Sequence, residues 1–176
     1  MEMLSFITQP LHLIIYLYTW VVIIGAVLSF LPIDQRHPLV EIVNRLTLPV
    51  FQFIRQKMPW VVISGIDLSP LVLLVGLHFI DGLLVFGPVI ALLQAFQTII
   101  FSYMILIIIA SLLTFIQIDP YNPIVSSINR LTAPTFRFVR QKLPFLVLGG
   151  IDLSPIVIIV GLNFLNGLIS TIMTGL

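Results

Sequence analysis

Long apolar runs alternate along this chain with shorter segments that carry its polar and charged side chains. Residues 11–31 contain no charged side chain, and residues 89–118 form a second uncharged run. A helix rises about 1.5 Å per residue, so about 20 apolar residues cross the roughly 30 Å hydrocarbon core of a bilayer. The pattern therefore predicts membrane-spanning helices at about residues 11–31 and 95–116, with a tight turn at Gly87 and Pro88 before the second.

Two further apolar segments begin at a Ser-Pro pair. Ser69-Pro70 and Ser154-Pro155 both precede an apolar stretch. Proline suits the first helical turn because its missing N–H would be unpaired there, and the serine can accept a first-turn amide as the N-cap. We predict spans at about residues 69–87 and 154–174, which makes four spans in all.

The chain repeats itself after 85 residues. Shifted by 85, it aligns without a gap, and 28 of the 51 positions from 34 to 84 are identical. The best-matched blocks read NRLT, RQK-x-P and GIDLSP, once in residues 1–88 and once in residues 89–176. Each repeat holds two spans, an even number, so both repeats enter the membrane in the same direction. We expect an all-α membrane protein with four transmembrane helices in two parallel repeats, each repeat a domain.

Charge is scarce and unevenly placed. The chain has 8 Lys and Arg, 7 Asp and Glu and no Cys, and its mean hydropathy is +1.18. This composition excludes an ordinary soluble domain, a disordered chain, a nucleic-acid-binding module and a disulfide scaffold. Every basic residue precedes the second or the fourth span. Because Lys and Arg in short loops favour the cytoplasmic side, we expect both basic loops in the cytoplasm and both termini outside it.

The two basic segments, residues 38–58 and 123–143, each have the pattern of an amphipathic helix. Apolar residues recur at three- and four-residue steps, and polar residues collect on the other side. Such a helix lies in the membrane interface, and Pro49 and Pro134 are expected to kink or split it. It either only orients the protein and packs beneath the spans, or it binds anionic lipid headgroups or a partner protein. In the binding interpretation, the residues that bind lipid or a partner are Arg45, Arg55, Lys57, Arg130, Arg137, Arg140 and Lys142.

An aspartate stands two residues before each Ser-Pro pair. Asp67 and Asp152 can accept the free backbone amides of the helix that follows, where a negative charge is favourable. Alternatively, each aspartate pairs with an arginine of the preceding basic helix and so fixes that helix to the start of the span. In both interpretations the structural motif comprises Asp67, Ser69, Pro70, Asp152, Ser154 and Pro155.

Four polar residues fall inside the predicted second and fourth spans. His78 and Asp81 are three residues apart on one helical face, and the repeat places Asn163 and Asn166 at the same positions. Ionisable side chains at membrane depth are costly and are therefore candidates for a functional role. They serve interhelical hydrogen bonding or lie near the outer interface, or else they line a polar cavity for ions or protons.

No sequence motif indicates catalysis or a cofactor. The three histidines, His12, His37 and His78, are scattered, and no cysteine joins them as a ligand of a metal or a haem. The sequence contains no glycine-rich phosphate loop and no recognisable nucleophile with a neighbouring base. We expect a protein that is not an enzyme and that uses no metal, no cofactor and no nucleic acid.

Together these motifs resemble the YggT family, which includes the YlmG proteins of Gram-positive bacteria and plastids. The likeness rests on GIDLSP, the upstream NRLT block, the basic residues before Pro59 and Pro144, and the Asn122-Pro123 pair. It implies a small bacterial inner-membrane or thylakoid protein without an established enzymatic activity. Members are associated with cell-division gene neighbourhoods, osmotic stress and, in plastids, assembly of a haem-containing cytochrome. The first repeat departs from the pattern, since residues 34–38 read DQRHP where residues 119–123 read DPYNP.

On this resemblance we expect a protein of the bacterial inner membrane that organises or assists assembly of other membrane components through its basic helices. Its partners would be the lipid bilayer with its anionic lipids, other membrane proteins and a further copy of itself. The alternative is a small oligomeric channel or transporter for ions or solutes, linked to osmotic stress. Such a conduit would run along His78, Asp81, Asn163 and Asn166.

Overall fold

The structure is a computed structural model that describes residues 2–30, 37–63, 65–115, 122–148 and 151–176. The segments that differ between the repeats, 34–38 and 119–123, are described only in part. Residues 34–36, which include Arg36, and residues 119–121 lie outside the described residues. The six helices of the described part are α1 (Glu2–Phe30), α2 (Pro38–Lys57), α3 (Ser69–Val85), α4 (Pro88–Phe115), α5 (Pro123–Lys142) and α6 (Ser154–Thr174). Two short antiparallel hairpins connect α2 to α3 and α5 to α6, and their strands are β1 (Val62–Ile63), β2 (Ile66–Asp67), β3 (Val147–Leu148) and β4 (Ile151–Asp152).

Three of the helices are long and apolar enough to cross a membrane. These stretches are Thr8–Leu28 in α1, Pro88–Thr114 in α4 and Ser154–Thr174 in α6. The fourth apolar helix, α3, has 17 residues, so it rises only about 25 Å. The helical membrane-protein class is thus supported, whereas the count of four spans stays a prediction.

The turn predicted at Gly87 is present, but the helix after it begins earlier than expected. Gly87 has φ +91°, a conformation that other residues rarely adopt, and its N–H donates to the carbonyl of Gly82 over 3.0 Å. Helix α4 then begins at Pro88, whereas the apolar pattern predicted a span from about residue 95. Proline has no N–H to satisfy in a first turn, so the helix can begin directly after the glycine.

The basic segments form α2 and α5, each a single helix that continues through its internal proline. Their bounds, Pro38–Lys57 and Pro123–Lys142, lie within one residue of the predicted ones. Pro49 and Pro134 therefore do not split these helices. A proline inside a helix removes one backbone hydrogen bond, and the packing of the rest of the helix must offset that loss.

The chain divides into two compact units, one of Met1–Ile63 with Asp67–Thr98 and one of Ser64–Ile66 with Ile99–Leu176. In the first unit, α1 packs against both α2 and α3. Gly25 of α1 permits close contact with α2, because a Cβ atom there would lie 3.0 Å from Thr47 Oγ1. In the second unit, α5 packs against α6. Thr47 and its repeat partner Thr132 are both buried, and each hydroxyl donates to the carbonyl four residues earlier.

Candidate functional site

An ion pair joins the end of α2 to the start of α3. After α2, a 3-10 turn and the β1–β2 hairpin reverse the chain, and Gly65 in that hairpin has φ +88°. This reversal places Asp67 beside α2, with its Oδ2 3.2 Å from Arg55 Nε. The other carboxylate oxygen, Oδ1, accepts the backbone N–H of Ser69 over 2.9 Å. Asp67 therefore does both things proposed for it: it accepts a first-turn amide of α3 and it pairs with an arginine of the basic helix.

The second repeat has the same arrangement. Arg140 Nε donates to Asp152 Oδ2 over 2.9 Å, and its Nη2 donates to the same oxygen. Asp152 Oδ1 accepts the N–H of Ser154 over 2.9 Å. The Arg140 guanidinium also lies 5.7 Å from the centre of the Phe136 ring. We refer to Arg55 with Asp67 and Arg140 with Asp152 as the Arg–Asp pairs.

The Arg–Asp pair of the second repeat changes the acidity of its carboxyl group. Burial alone would raise the pKa of Asp152, but the hydrogen bonds from Ser154 and Arg140 and the charge of Arg140 hold the pKa below its usual value. Each of these donors interacts more strongly with the carboxylate than with the protonated acid. Asp152 is thus charged at neutral pH.

The caps of α3 and α6 differ from the prediction. The serines of the two Ser-Pro pairs were expected to be N-caps, but each is the first helical residue, and the preceding aspartate provides the acceptor instead. The aspartate side chain is long enough to reach the backbone N–H of the serine two residues later, so its carboxylate accepts that N–H. The hydroxyls of Ser69 and Ser154 are fully buried and have no hydrogen-bond partner among the described residues.

Two tyrosines attach the basic helices to the preceding apolar helices. Tyr18 of α1 donates its hydroxyl to the carbonyl of Leu46 over 3.0 Å, three residues before Pro49. Its repeat partner is Tyr103 of α4, whose hydroxyl is hydrogen-bonded to Thr135 Oγ1, next to Pro134. The signal that could have found them is the duplication itself, because a shift of 85 aligns the two tyrosines.

The apolar side chains of α2 divide between two sides of the helix. One set is buried against the rest of its unit, and a second set recurs at three-, four- and seven-residue steps on a neighbouring side and is exposed. The buried residues are Val40, Thr47 and Phe51, and the exposed set on the neighbouring side is Leu39, Ile42, Leu46 and Phe53; Leu48 is also exposed but lies outside this set. The helix is therefore held by the protein on one side and leaves an apolar side uncovered.

The basic residues of α2 and α5 fall into two classes. Arg55 and Arg140 belong to the Arg–Asp pairs, and Arg45 Nη2 lies 2.6 Å from Glu41 Oε1 within α2. The other four make no ion pair within the described part of the chain, and these are Lys57, Arg130, Arg137 and Lys142. The positive charge that no described acidic residue compensates thus comes from the second class.

An exposed aromatic side chain follows each basic helix. Trp60 is 63% exposed, and Phe145, at the same position of the second repeat, is 65% exposed. Aromatic residues beside basic ones are typical of the membrane interface, where the ring meets the headgroup level.

Comparison with known proteins identifies the family. The model of the CCB3/YggT family matches residues 4–87 and again residues 89–173, so it covers nearly the whole chain twice. This chain belongs to the CCB3/YggT family. It therefore carries two YggT repeats, in agreement with the resemblance drawn from its motifs.

Two curated bacterial proteins are similar over most of their length. An uncharacterized protein of Pseudomonas aeruginosa is 28% identical over 170 residues, which cover 87% of this chain and 82% of the relative. An uncharacterized protein of Haemophilus influenzae is 29% identical over 169 residues, which cover 93% of this chain and 91% of the relative. No solved structure matches the chain.

In the first YggT repeat, the polar residues of the predicted second span have separate partners. Asp81 Oδ1 lies 2.6 Å from His12 Nδ1 of α1, whereas His78 Nδ1 donates to the carbonyl of Leu74 in its own helix over 2.8 Å. The Asp81 side chain is 19% exposed and the His12 side chain is 52% exposed. No sequence motif connects His12 with Asp81, since 69 residues separate them.

In the second YggT repeat, the corresponding positions hold neutral amides. Asn163 Nδ2 donates to the carbonyl of Ile159 over 3.1 Å and contacts Met104 Sδ at 3.2 Å. Asn166 also has an interaction partner. These two asparagines belong to the second unit, and His78 and Asp81 belong to the first. Across the described ranges, no group of three or more His, Cys, Asp or Glu side chains could hold a metal ion.

Proposed function

We propose that this YggT-family protein is a non-catalytic protein of the bacterial inner membrane that organises or assists assembly of other membrane components through α2 and α5. The observation that carries the proposal is the repeated Arg–Asp pair, which ties each basic helix to the start of an apolar helix. Each basic helix also has a hydrogen bond with a tyrosine of the preceding apolar helix, close to its internal proline. The ion pair and this hydrogen bond give each basic helix two polar attachments to neighbouring apolar helices. A surface held in this way is preorganised for a partner and loses little freedom on binding.

Lipid and protein partners would occupy different sides of α2 and α5. The exposed apolar side of α2, together with Trp60 and Phe145, suits the boundary between headgroups and acyl chains. The basic residues without an ion pair to a described residue are Lys57 on α2 and Arg130, Arg137 and Lys142 on α5, and each would attract anionic lipids by about 1 kcal/mol. The polar side of each basic helix would face a membrane-protein partner, or a further copy of this chain, in the cytoplasm.

The proposed orientation uses four spans, with both basic helices in the cytoplasm and both termini outside. Its support is the placement of all the basic residues before the second and the fourth apolar helix. Helix α3 would be the shortest span. A span of 17 residues is at the lower limit for crossing, and local thinning of the bilayer accommodates a short one at modest cost.

The direct test is site-specific cross-linking in living cells. A photoreactive amino acid replaces Gln56 or Gln141, both exposed on the basic helices, and the matched control replaces the exposed Phe164 of α6. We expect a cross-linked membrane protein from both basic-helix positions and none from the control. The product should weaken when Lys57, Arg130 and Lys142 are changed to Gln.

The result that would overturn the proposal is functional transport without a partner. In proteoliposomes, ion or solute flux that His78→Ala and Asp81→Ala abolish would establish the channel alternative. Absence of any cross-linked product from either basic helix would also count against an organising role.

A further inference from the structure

A cavity of about 520 Å³ lies within the second unit, where the end of α4 meets α5 and the start of α6. Its size is that of an ordinary small-molecule site. The lining includes hydroxyl, amide and guanidinium groups, among them those of Ser111, Asn129, Arg137 and Arg140. We refer to it as the α5 cavity.

Among the described residues that line it, the α5 cavity has one positive charge in excess. Asp152 also lines it, but both oxygens of this carboxylate are engaged, one by Arg140 and the other by the Ser154 amide. Arg140 and Asp152 therefore compensate each other. Arg137 is the remaining cation, and it makes no ion pair with any described residue. Its guanidinium carries several N–H donors that match the oxygens of a phosphate.

The position of the α5 cavity along the helices corresponds to headgroup depth. Ala110 and Thr114 line it from the last turns of the apolar stretch Pro88–Thr114, and Pro155 lines it from the first turn of α6. In a membrane-spanning helix, the last turn lies where the hydrocarbon ends and the phosphate layer begins. A bound phosphate at this depth would normally belong to a lipid.

The two repeats differ at the residues that shape this cavity. Ala133 and Arg137 line it, and the corresponding positions of the first repeat are Leu48 and Gln52. The second repeat thus has a smaller side chain at one position and a cation at the other. At these two positions the second repeat therefore has a smaller side-chain volume and one more positive charge than the first repeat.

We propose that the α5 cavity binds the phosphate of one anionic phospholipid headgroup, with Arg137 as the principal cation and Asn129 and Ser111 as neutral donors. The proposal rests on the proposed placement of the basic helices at the membrane surface. It adds a single site in the second repeat to the general attraction of the basic helices for anionic lipid.

The test counts the lipids that remain on the purified protein. The protein is prepared in detergent with phosphatidylglycerol or with phosphatidylcholine, and bound lipid is measured by native mass spectrometry. We expect one phosphatidylglycerol per chain and no retained phosphatidylcholine. Arg137→Gln, which introduces the residue of the first repeat, should weaken retention by about tenfold, as expected for the loss of a charged hydrogen-bond donor. Ala133→Leu, which introduces the residue of the first repeat, should narrow the cavity and weaken lipid retention without a change in charge.

Arg130→Gln is the matched control, because it removes the same charge from an exposed position of the same helix that does not line the cavity. It should lower the general preference for anionic lipid but keep the single retained lipid. Equal losses in Arg130→Gln and Arg137→Gln would reduce the site to a diffuse basic surface, which overturns the cavity proposal and leaves the proposed function standing. This comparison of two exposed arginines decides the matter even if Ala133→Leu fails to fold.

The source of the phosphate is tested by competition. Inorganic phosphate added at millimolar concentration should not displace phosphatidylglycerol from the wild-type protein, because the acyl chains contribute to binding. Full displacement would assign the cavity to a soluble phosphate compound and overturn the lipid assignment. Equal retention of phosphatidylcholine would overturn the charge argument, whatever the cross-linking experiment shows.

Discussion

At the scale of single residues, Asp67 and Asp152 each use their two carboxylate oxygens for different purposes. One oxygen accepts the first amide of the following helix, and the other faces an arginine of the preceding helix. A neutral acceptor could serve as the cap, but only a charged group can form the ion pair. The two contributions can therefore be separated by substitution.

We predict that Asp152→Ala destabilises the protein more than Asp152→Asn does. The asparagine keeps an acceptor for the Ser154 amide, and loss of such a cap costs about 1 kcal/mol. The ion pair is partly exposed, so its coupling free energy should be only about 0.5 kcal/mol. The measurement is unfolding of the detergent-solubilised protein in a double-mutant cycle with Arg140→Gln. The cycle for Asp67 and Arg55 is the matched comparison, and strictly additive effects in both cycles would contradict an energetic role for the pairs.

The lowered pKa of Asp152 predicts how stability depends on pH. A carboxyl group whose pKa is lower in the folded state binds protons more weakly there than in the unfolded chain, where an ordinary Asp pKa is about 3.9. Its contribution is therefore complete above that value and is lost as the pH falls through the lowered pKa. The difference in unfolding free energy between wild type and Asp152→Asn should be constant from pH 7 to about pH 5 and should shrink below about pH 4. A difference that grows on acidification would show the opposite sign of the shift.

At the scale of helices, equivalent glycines of the two repeats have different surroundings. A Cβ atom at Gly82 of α3 would lie 2.7 Å from the Cα atom of Ala91 in α4, a backbone atom that cannot simply rotate away. At Gly167, the same position of α6, no atom lies within 4 Å of such a Cβ atom. The tight turn at Gly87 brings α3 and α4 together, and α6 has no such neighbour in its unit at that position.

We predict opposite effects for the same substitution at these two positions. Gly82→Ala should destabilise the protein by about 1–3 kcal/mol, because α3 and α4 must separate to make room. Gly167→Ala should be neutral or stabilising by up to about 1 kcal/mol, since alanine favours a helix over glycine. Thermal unfolding in one detergent compares the two variants directly. Equal effects at both positions would mean that the contact between α3 and α4 is not retained in the membrane.

At the scale of the whole molecule, duplication gives each half the same series of elements. A long apolar helix, a basic helix, a hairpin and a second apolar helix follow one another twice. Because each half holds two apolar helices, the proposed orientation requires equivalent points of the two halves to lie on the same side of the membrane. That requirement can be tested without knowledge of the function.

We predict that Gln56→Cys and Gln141→Cys are labelled from the cytoplasm and Gly175→Cys from outside. The chain has no cysteine of its own, so each single substitution reports one position without background. A membrane-impermeant maleimide applied to spheroplasts should label Gly175→Cys at once and the other two only after permeabilisation. Labelling of Gln56→Cys and Gln141→Cys from opposite sides would contradict the parallel arrangement and would place α3 on the surface rather than across the bilayer.

Much of the fold follows from local sequence. The bounds of α2, α5 and α6 agree with the predicted segments because a proline stands in the first turn of each helix and the apolar or basic pattern ends with the helix. The Arg–Asp pairs were among the predicted alternatives, since each aspartate is only 12 residues from its arginine. The tight turn at Gly87-Pro88 was predicted, but the start of α4 was placed at about residue 95 because the apolar pattern does not show that the helix begins directly at Pro88.

The sequence by itself determined the membrane class, the duplication, the family and the local device that links each basic helix to the next apolar helix. These depend on composition, periodicity and residues close together in the chain, where few conformations compete. Only the tertiary structure decided that Asp81 meets His12, that Tyr18 and Tyr103 bind the basic helices, and that Gly82 is crowded where Gly167 is open. Such contacts depend on how distant helices pack, and identical local sequences acquire different neighbours when one has a second helix beside it.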